Sequence, residues 1–546
     1  MKRKALLVAM LCTVFSVSAQ SVADKIESLF ASWNEPHRAG GVVLVSQNNQ
    51  VVFSKAYGLA SIAYNIPNST NTVFNIGSVS KQFTAMGILL LQQEGKISLD
   101  DDIRKYLPDM NPFEKPITIR HLLHHTSGLR SAPEFFGLAG WREGDAISND
   151  DFYRYICKQK TLNMETGSAY MYTNSGYILL AKIIETVTQQ SFKTWMQDKV
   201  FKPLAMDATF IEEDASNILP NVASSYEEVG PSQFRSVENY DQTYGASNVY
   251  STSTDLLKWT QNFTKPTTAW KNAFEALQTL DLLSNGSKNN YAFGLFIDTF
   301  YGNKRIQHTG AIGGFRSVVY CYPDDQLTII VLTNFSSPNQ PNYGDPLSQL
   351  FLQDKSEKPK AQKPYKALAL SEETLKKYEG SYWSNESNFS RKIVLENNTL
   401  WYVRNPQKKS ALIPIQENLF KMDGVQDDVR LQFDLKTNQF SFITNEKVTD
   451  AFEKYNNEPI TTAALEAYVG TYYSAELETY YTITLTNGAL IGYHSKFGTF
   501  EIKPLKKDVL DFSGMMIAKC GRESKGVVTG FGVSLNRVKN VWFERK

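Results

Sequence analysis

A chain of 546 residues with 42% hydrophobic content carries ample apolar surface for several packed cores, and length alone suggests about three or four domains. Its 57 basic and 56 acidic residues leave a formal net charge of +1, so no electrostatic footprint for nucleic acid or an anionic membrane surface is present. Cys12, Cys157, Cys321 and Cys520 are too scattered for a disulfide framework or a C-x-x-C metal or redox site, and packing has to supply the stability.

The first element in chain order is a leader. Lys2, Arg3 and Lys4 precede an apolar run from Ala5 to Val17, and Val17-Ser18-Ala19 reads as a cleavage site. Residues 1–19 are therefore expected to be a secretory signal peptide and the mature chain to be periplasmic or secreted. Leu11 stands before Cys12 where lipoprotein processing wants a small residue. No later stretch approaches the ~20 uninterrupted apolar residues of a membrane span, so no transmembrane anchor is expected.

Residues 41–61 are two β-rich runs around Gln47-Asn48-Asn49-Gln50, a hairpin by pattern and turn chemistry. A matching block at 305–334 holds a second hairpin around Pro323-Asp324-Asp325-Gln326. Between the blocks the periodicity is helical: Ser80 to Glu94 stops at Gly95, Ile119 to His125 follows Thr118, and Gly176 to Thr188 carries apolar positions at helical spacing. The economical reading is an α+β domain spanning 20–353. Its antiparallel sheet is built from the two ends, a helical region is inserted, and a cleft is expected where the two meet.

Residues 354–371 open on the lysine- and proline-rich DKSEKPKAQKPYK, a solvated linker. After it, Leu375, Tyr378, Gly380 and Tyr382 recur as Leu465, Tyr468, Gly470 and Tyr472, and Ile393, Leu395, Asn397, Leu400 and Pro414 recur as Ile483, Leu485, Asn487, Leu490 and Pro504. Every pair is offset by 90 residues. This is a tandem duplication of a small all-β unit, 372–456 and 457–546, each expected to close as a barrel or meander with its tyrosines in the core.

The chemistry concentrates at Asn75–Gln93, where Ser78 and Lys81 stand at i and i+3 at the start of a helix-forming stretch. Both side chains then share a face near the helix N-terminus, where free N–H groups favour developing negative charge, as an activated serine nucleophile requires. A second proton-handling group is offered by Tyr172 in Tyr172-Thr173-Asn174. Lys81 beside it would favour the phenolate. His308-Thr309-Gly310 lies in a strand before Ala311. His121, His124 and His125 fall at i, i+3 and i+4, but no H-E-x-x-H pattern accompanies them, and neither metal nor cofactor is expected.

Ser78-x-x-Lys81, Tyr172-x-Asn174 and His308-Thr309-Gly310, with Ile117 to Leu129 ending in His-Thr-Ser-Gly-Leu, resemble the motif set of the penicillin-recognising serine hydrolases. That family comprises class C β-lactamases, D-alanyl-D-alanine carboxypeptidases, D-aminopeptidases and related esterases. The resemblance covers roughly residues 25–350 and implies a β-lactamase/transpeptidase-like fold. It implies that Ser78 attacks a carbonyl, that Lys81 and Tyr172 handle protons, and that Asn174, His308, Thr309 and Gly310 bind substrate. It further implies an oxyanion hole from the backbone N–H groups of Ser78 and Ala311. The duplicated units resemble the lipocalin-like modules of D-aminopeptidase relatives.

His308 replaces the lysine of classical β-lactamases, and with a reference pKa of about 6.5 it implies weaker or pH-dependent carboxylate anchoring. Thr166-Gly167 stands where relatives have Pro-Gly. The implied function is an exported serine hydrolase acting on small amides, D-residue peptides or esters. A penicillin-binding or sensor-like protein with little turnover and a true class C-type β-lactamase stay open, as does the oligomeric state.

Overall fold

The computed structural model describes residues 21–546 apart from 143, 339, 357–364, 406–407, 426 and 456–459. The expected signal peptide and the middle of the expected linker lie outside the described residues.

Strands β1 (Gly41–Gln47), β2 (Gln50–Tyr57), β3 (Phe296–Phe300), β4 (Asn303–Ile312), β5 (Phe315–Tyr322) and β6 (Leu327–Thr333) form one antiparallel sheet in the order β3-β4-β5-β6-β1-β2. The two ends of the domain thus meet, with β1 against β6 from Gly41↔Thr333 to Gln47↔Leu327. Asn48 and Asn49 turn the first hairpin at φ 53° and 61°, the left-handed conformation that a tight two-residue turn demands and asparagine tolerates. Every residue of β6 is buried. Ile330 and Leu332 face the helical core while Leu327, Ile329 and Val331 face a second apolar layer, which is why this strand reads as a continuous apolar run.

The helical insert includes α1 (Lys81–Gln93), α2 (Ala132–Leu138) and α3 (Asn174–Thr188). Helix α1 is buried almost all round. A Cβ on its Gly87 would meet Ile184 of α3 and Met196 at 2.9 Å, so glycine permits the close packing that seats α1 in the core.

Two closed eight-stranded barrels follow, β7 (Gly380–Ser384) through β14 (Lys447–Tyr455) and β15 (Gly470–Ser474) through β22 (Val538–Arg545). Their registers repeat as the sequence does. Gly380↔Ile393 corresponds to Gly470↔Ile483, and a bulge between Pro414 and Gln416 corresponds to one between Pro504 and Lys506. The recurring tyrosines are core: Tyr382 Oη donates to Tyr378 O at 2.9 Å, and Tyr472 Oη to Tyr468 O at 2.7 Å.

Spatial order departs from chain order. The second barrel shares one continuous apolar core with the helical insert, whereas the first barrel has a core of its own. The second barrel is anchored by Arg130, whose fully buried side chain bonds Lys539 O at 2.9 Å, Asn540 O at 3.4 Å and Glu476 Oε2 at 3.2 Å. Tyr481 Oη adds a bond to Leu138 O at 3.0 Å. The first barrel leans on the second, with its buried Trp383 ring 5.3 Å from Lys506 Nζ and 5.9 Å from Lys519 Nζ.

Candidate active site

Ser78 sits in the 3₁₀ turn Gly77–Ser80 that leads directly into α1. The turn is pinned to the sheet at backbone distance. A Cβ on Gly310 would lie 2.0 Å from Ile76 O, and one on Gly77 (φ +52°) would lie 2.7 Å from Ala311 N. Two glycines therefore let the nucleophile turn and β4 run side by side, setting Ser78 and Ala311 on the same stretch of cleft wall. Ser317 Oγ donates to Ile76 O at 2.7 Å and Ser80 Oγ accepts from Val249 N at 3.1 Å, which fixes the turn from both sides.

Lys81 is fully buried, with Nζ 3.1 Å from Ser78 Oγ, 2.8 Å from Asn174 Oδ1 and 2.8 Å from Ala246 O. Among the described residues no carboxylate forms an ion pair with it. Burial drives its pKa well below the ordinary lysine range, the like charge of Arg537 pushes the same way, and Glu134 opposes weakly. When the amine gives up a proton, its two remaining N–H bonds serve the two obligate acceptors, Asn174 Oδ1 and Ala246 O, and the lone pair is left toward the serine hydroxyl.

Tyr172 lies beside this pair, its ring centroid 4.9 Å from Lys81 Nζ. Among the described residues its buried hydroxyl has no hydrogen-bond partner within ordinary reach, although the adjacent Ser78 hydroxyl tempers the effect of burial. Burial raises the phenol pKa well above its usual value. The expectation that Lys81 would favour a phenolate is thereby corrected: the amine meets the ring face, and burial, which disfavours charge on both groups, keeps Tyr172 protonated. His125, at φ 57°, supports the ring from 4.3 Å between centroids, and its Nδ1 accepts from Thr173 N at 3.2 Å.

His308 is buried in β4, with Nδ1 2.6 Å from Thr309 O and Nε2 3.1 Å from Tyr291 Oη. The carbonyl requires the proton on Nδ1, so Nε2 accepts from the tyrosine. Burial first, and then the Lys81 charge, push its pKa down to about 3. The expectation of pH-dependent anchoring by this imidazole is corrected as well: it stays neutral and both nitrogens are occupied. Thr309 and Gly310 line the same cleft. The neighbouring histidines serve separate partners, His121 Nδ1 at Thr118 N and His124 Nδ1 at Tyr291 O.

The cleft also contains residues that sequence reasoning missed. Ala246 supplies an acceptor to Lys81 from a loop without a motif. Arg537 arrives from the turn between β21 (Val528–Leu535) and β22 of the second barrel, its guanidinium 5.4 Å from the Tyr172 ring centroid. Its Nε donates to Glu134 Oε1 at 2.6 Å, and its carbonyl accepts from Ser131 N at 3.2 Å and Asn163 Nδ2 at 2.9 Å. A cavity of about 660 Å³ contains Ser78, Tyr172, Asn174, His308, Thr309 and Arg537 along its walls.

Residues 22–353 match the family model described as Beta-lactamase. The chain is 28% identical over 435 residues to penicillin-binding protein 4* of Bacillus subtilis, covering 75% of this chain and 94% of that one. It is 27% identical over 301 residues to the D-aminopeptidase of Gluconobacter oxydans, covering 55% of this chain and 57% of the relative's length. Among solved structures, an octameric penicillin-binding protein homologue from Pyrococcus abyssi superposes with a TM-score of 0.54 at 23% identity, over 79% of this chain and 99% of that one. That likeness is one of fold.

Proposed function

Because the chain belongs to the Beta-lactamase family, we propose that it is an exported serine hydrolase that works through an acyl-Ser78 intermediate on small amides, D-residue peptides or esters. The observation that carries this reading is the fully buried Lys81, with Nζ 3.1 Å from Ser78 Oγ, no carboxylate ion pair among the described residues, and a pKa that burial drives well below the ordinary lysine range.

In the forward step Lys81 accepts the Ser78 proton as Oγ attacks the carbonyl carbon. The N–H groups of Ser78 and Ala311 receive the oxyanion, where preorganised donors stabilise developing charge most. As the bond to the leaving group breaks, the proton returns through the Tyr172 hydroxyl to the leaving nitrogen or oxygen. Water then adds to the acyl ester by the reverse route and frees the acid and Ser78. Asn174 holds Lys81 in place, and Thr309 and Gly310 line the substrate wall. The D-residue preference is supported by the likeness to a D-aminopeptidase, and export by the leader pattern of residues 1–19.

Intact-mass measurement after incubation with an activated ester or a β-lactam tests the proposal. An adduct on the wild-type protein that is missing from S78A supports it. The same adduct on S78A would end it.

A further inference from the structure

The outer face of the second barrel carries a strip of aromatic side chains that its core does not use. Tyr493 on β17 (Ala489–His494), Tyr480 on β16 (Thr479–Thr486), Tyr473 on β15 and Trp542 on β22 stand on four neighbouring strands. Alternation puts all four outside, since Tyr472, Tyr481, His494, Val541 and Phe543 beside them are buried. Tyr480 faces Tyr473 across its strand pair, with ring centroids 4.5 Å apart, and Tyr493 and Trp542 each lie diagonal to that pair. Three strand spacings make the strip about 14 Å wide, room for about three pyranose rings. Tyr493, Tyr480 and Trp542 keep 50%, 55% and 44% of their surface in solvent, and none of the four lines the cavity at Ser78.

Trp542 is laid flat. A Cβ on Gly521 would lie 2.6 Å from its Cη2, one on Gly530 2.5 Å from its Cζ2 and one on Gly532 3.8 Å from its Cε3. The ring therefore rests across three glycines, one face against the sheet and the other open. Barrel closure does not require this. In register, the first barrel has Ser390, Val403 and Ala451 where the second has Tyr480, Tyr493 and Trp542, and Gln439 and Ser441 where it has Gly530 and Gly532. The ring and the glycines that make room for it differ together between the two copies.

Charge and polarity narrow the ligand. Glu544, which sits between Tyr473 and Gly530 in register, is ion-paired with Lys546, so the charges on the strip balance and suit an uncharged partner. Hydroxyls interrupt the rings: Thr471 Oγ1 and Thr482 Oγ1 lie 3.4 Å apart beside Tyr473 and Tyr480. A protein partner would want a contiguous apolar patch, whereas open ring faces alternating with hydroxyls suit a sugar chain. Its polarised C–H bonds meet the negative face of an aromatic ring and its hydroxyls bond at the edges. We propose that the second barrel is a carbohydrate-binding module, with Tyr493, Tyr480, Tyr473 and Trp542 holding an uncharged β-1,4-linked polysaccharide, whose extended chain brings successive flat faces into line.

The test mixes the full chain with insoluble chitin and microcrystalline cellulose and titrates it with chitohexaose and cellohexaose. The wild type should be retained by at least one polysaccharide and bind the matching hexamer saturably. W542A and Y480A/Y493A should each weaken that binding by about tenfold or more, while W542F keeps part of it. G521A leaves the tryptophan in place, but its new methyl lifts the ring from the sheet and should weaken binding as well. Circular dichroism verifies that each variant is folded, so the outcome is independent of the acyl-Ser78 reading. No retention of the wild type on either polysaccharide, a loss below about tenfold in folded W542A, or full affinity in folded G521A would overturn the inference. So would a wild type that ignores both glycans yet sediments as an oligomer that W542A dissociates, since the strip would then be a contact between copies of the chain.

Discussion

Replacing Arg130 by methionine should loosen the second barrel from the catalytic domain while leaving both folded. The Arg130 side chain is fully buried and donates to Thr161 O at 2.7 Å, Thr161 Oγ1 at 2.6 Å, Lys539 O at 2.9 Å, Glu476 Oε2 at 3.2 Å and Asn540 O at 3.4 Å. Three of these acceptors belong to the barrel. Removing one member of a buried ion pair costs about 3–5 kcal/mol, because the carboxylate left behind has lost its partner. Glu476 keeps the Lys160 N–H, a single neutral donor at 3.0 Å, which compensates little. The cost falls where the barrel meets the helical insert, so it reads out as easier local opening, by about two to four orders of magnitude in the opening constant. Hydrogen exchange of the Ser131 and Lys539 amides is the assay, since both donate across this interface. R130M should accelerate them by that factor, and R130M/E476L should return them most of the way by removing the stranded charge. Exchange within tenfold of wild type in R130M would refute the reasoning.

Three further outcomes are expected. The acylation rate should rise with pH as Lys81 loses its proton and level off below the ordinary lysine range, and R537Q, by removing a like charge, should move that limb to higher pH; a limb near the unperturbed lysine value in both proteins contradicts the neutral-amine base. His308, with a folded pKa of about 3 against about 6.5 unfolded, binds its proton more readily in the unfolded chain. Stability should therefore be complete above about pH 6.5 and decline toward pH 3 by up to about 1.4 kcal/mol per pH unit, a slope that H308N should flatten in urea titrations. G310A should reduce Ser78 acylation by at least about a hundredfold, because its new methyl lies 2.0 Å from Ile76 O and must push the nucleophile turn off β4; near-normal adduct formation would contradict that geometry.

Much of the catalytic domain was legible in the sequence because its signals are local. The Asn48-Asn49 turn, the unbroken apolar run of β6 and the Gly95 stop after α1 each follow from one short stretch of chain. Ser78, Lys81, Tyr172 and Asn174 were visible as motifs, and His308 as a substitution within one. What neighbouring charge and burial do to those groups was not visible. Whether Lys81 meets the Tyr172 hydroxyl or its ring face depends on packing between α1 and the segment before α3, and that contact decides which group holds the proton. Arg537 had no local signature, because the barrel sequence announces its aromatic core and a turn arginine looks like any solvated cation. The docking of the second barrel ahead of the first was equally hidden, since the two copies share their strand pattern and differ in what their outer surfaces touch.

The twin barrels give the same hairpin in two settings. Where the second barrel turns through Asn536-Arg537, the first turns through Asn445-Glu446, and Glu446 points to solvent with the opposite charge. Glu446 takes the left-handed backbone at φ 69° that Arg537 does not, so the two copies close equivalent strand pairs with different two-residue turns, and the scaffold accepts more than one tip. Duplication has thus separated an element that must be kept for architecture from a tip that can drift, so new preferences at the cleft can arise by exchanging a turn without touching the residues around Ser78.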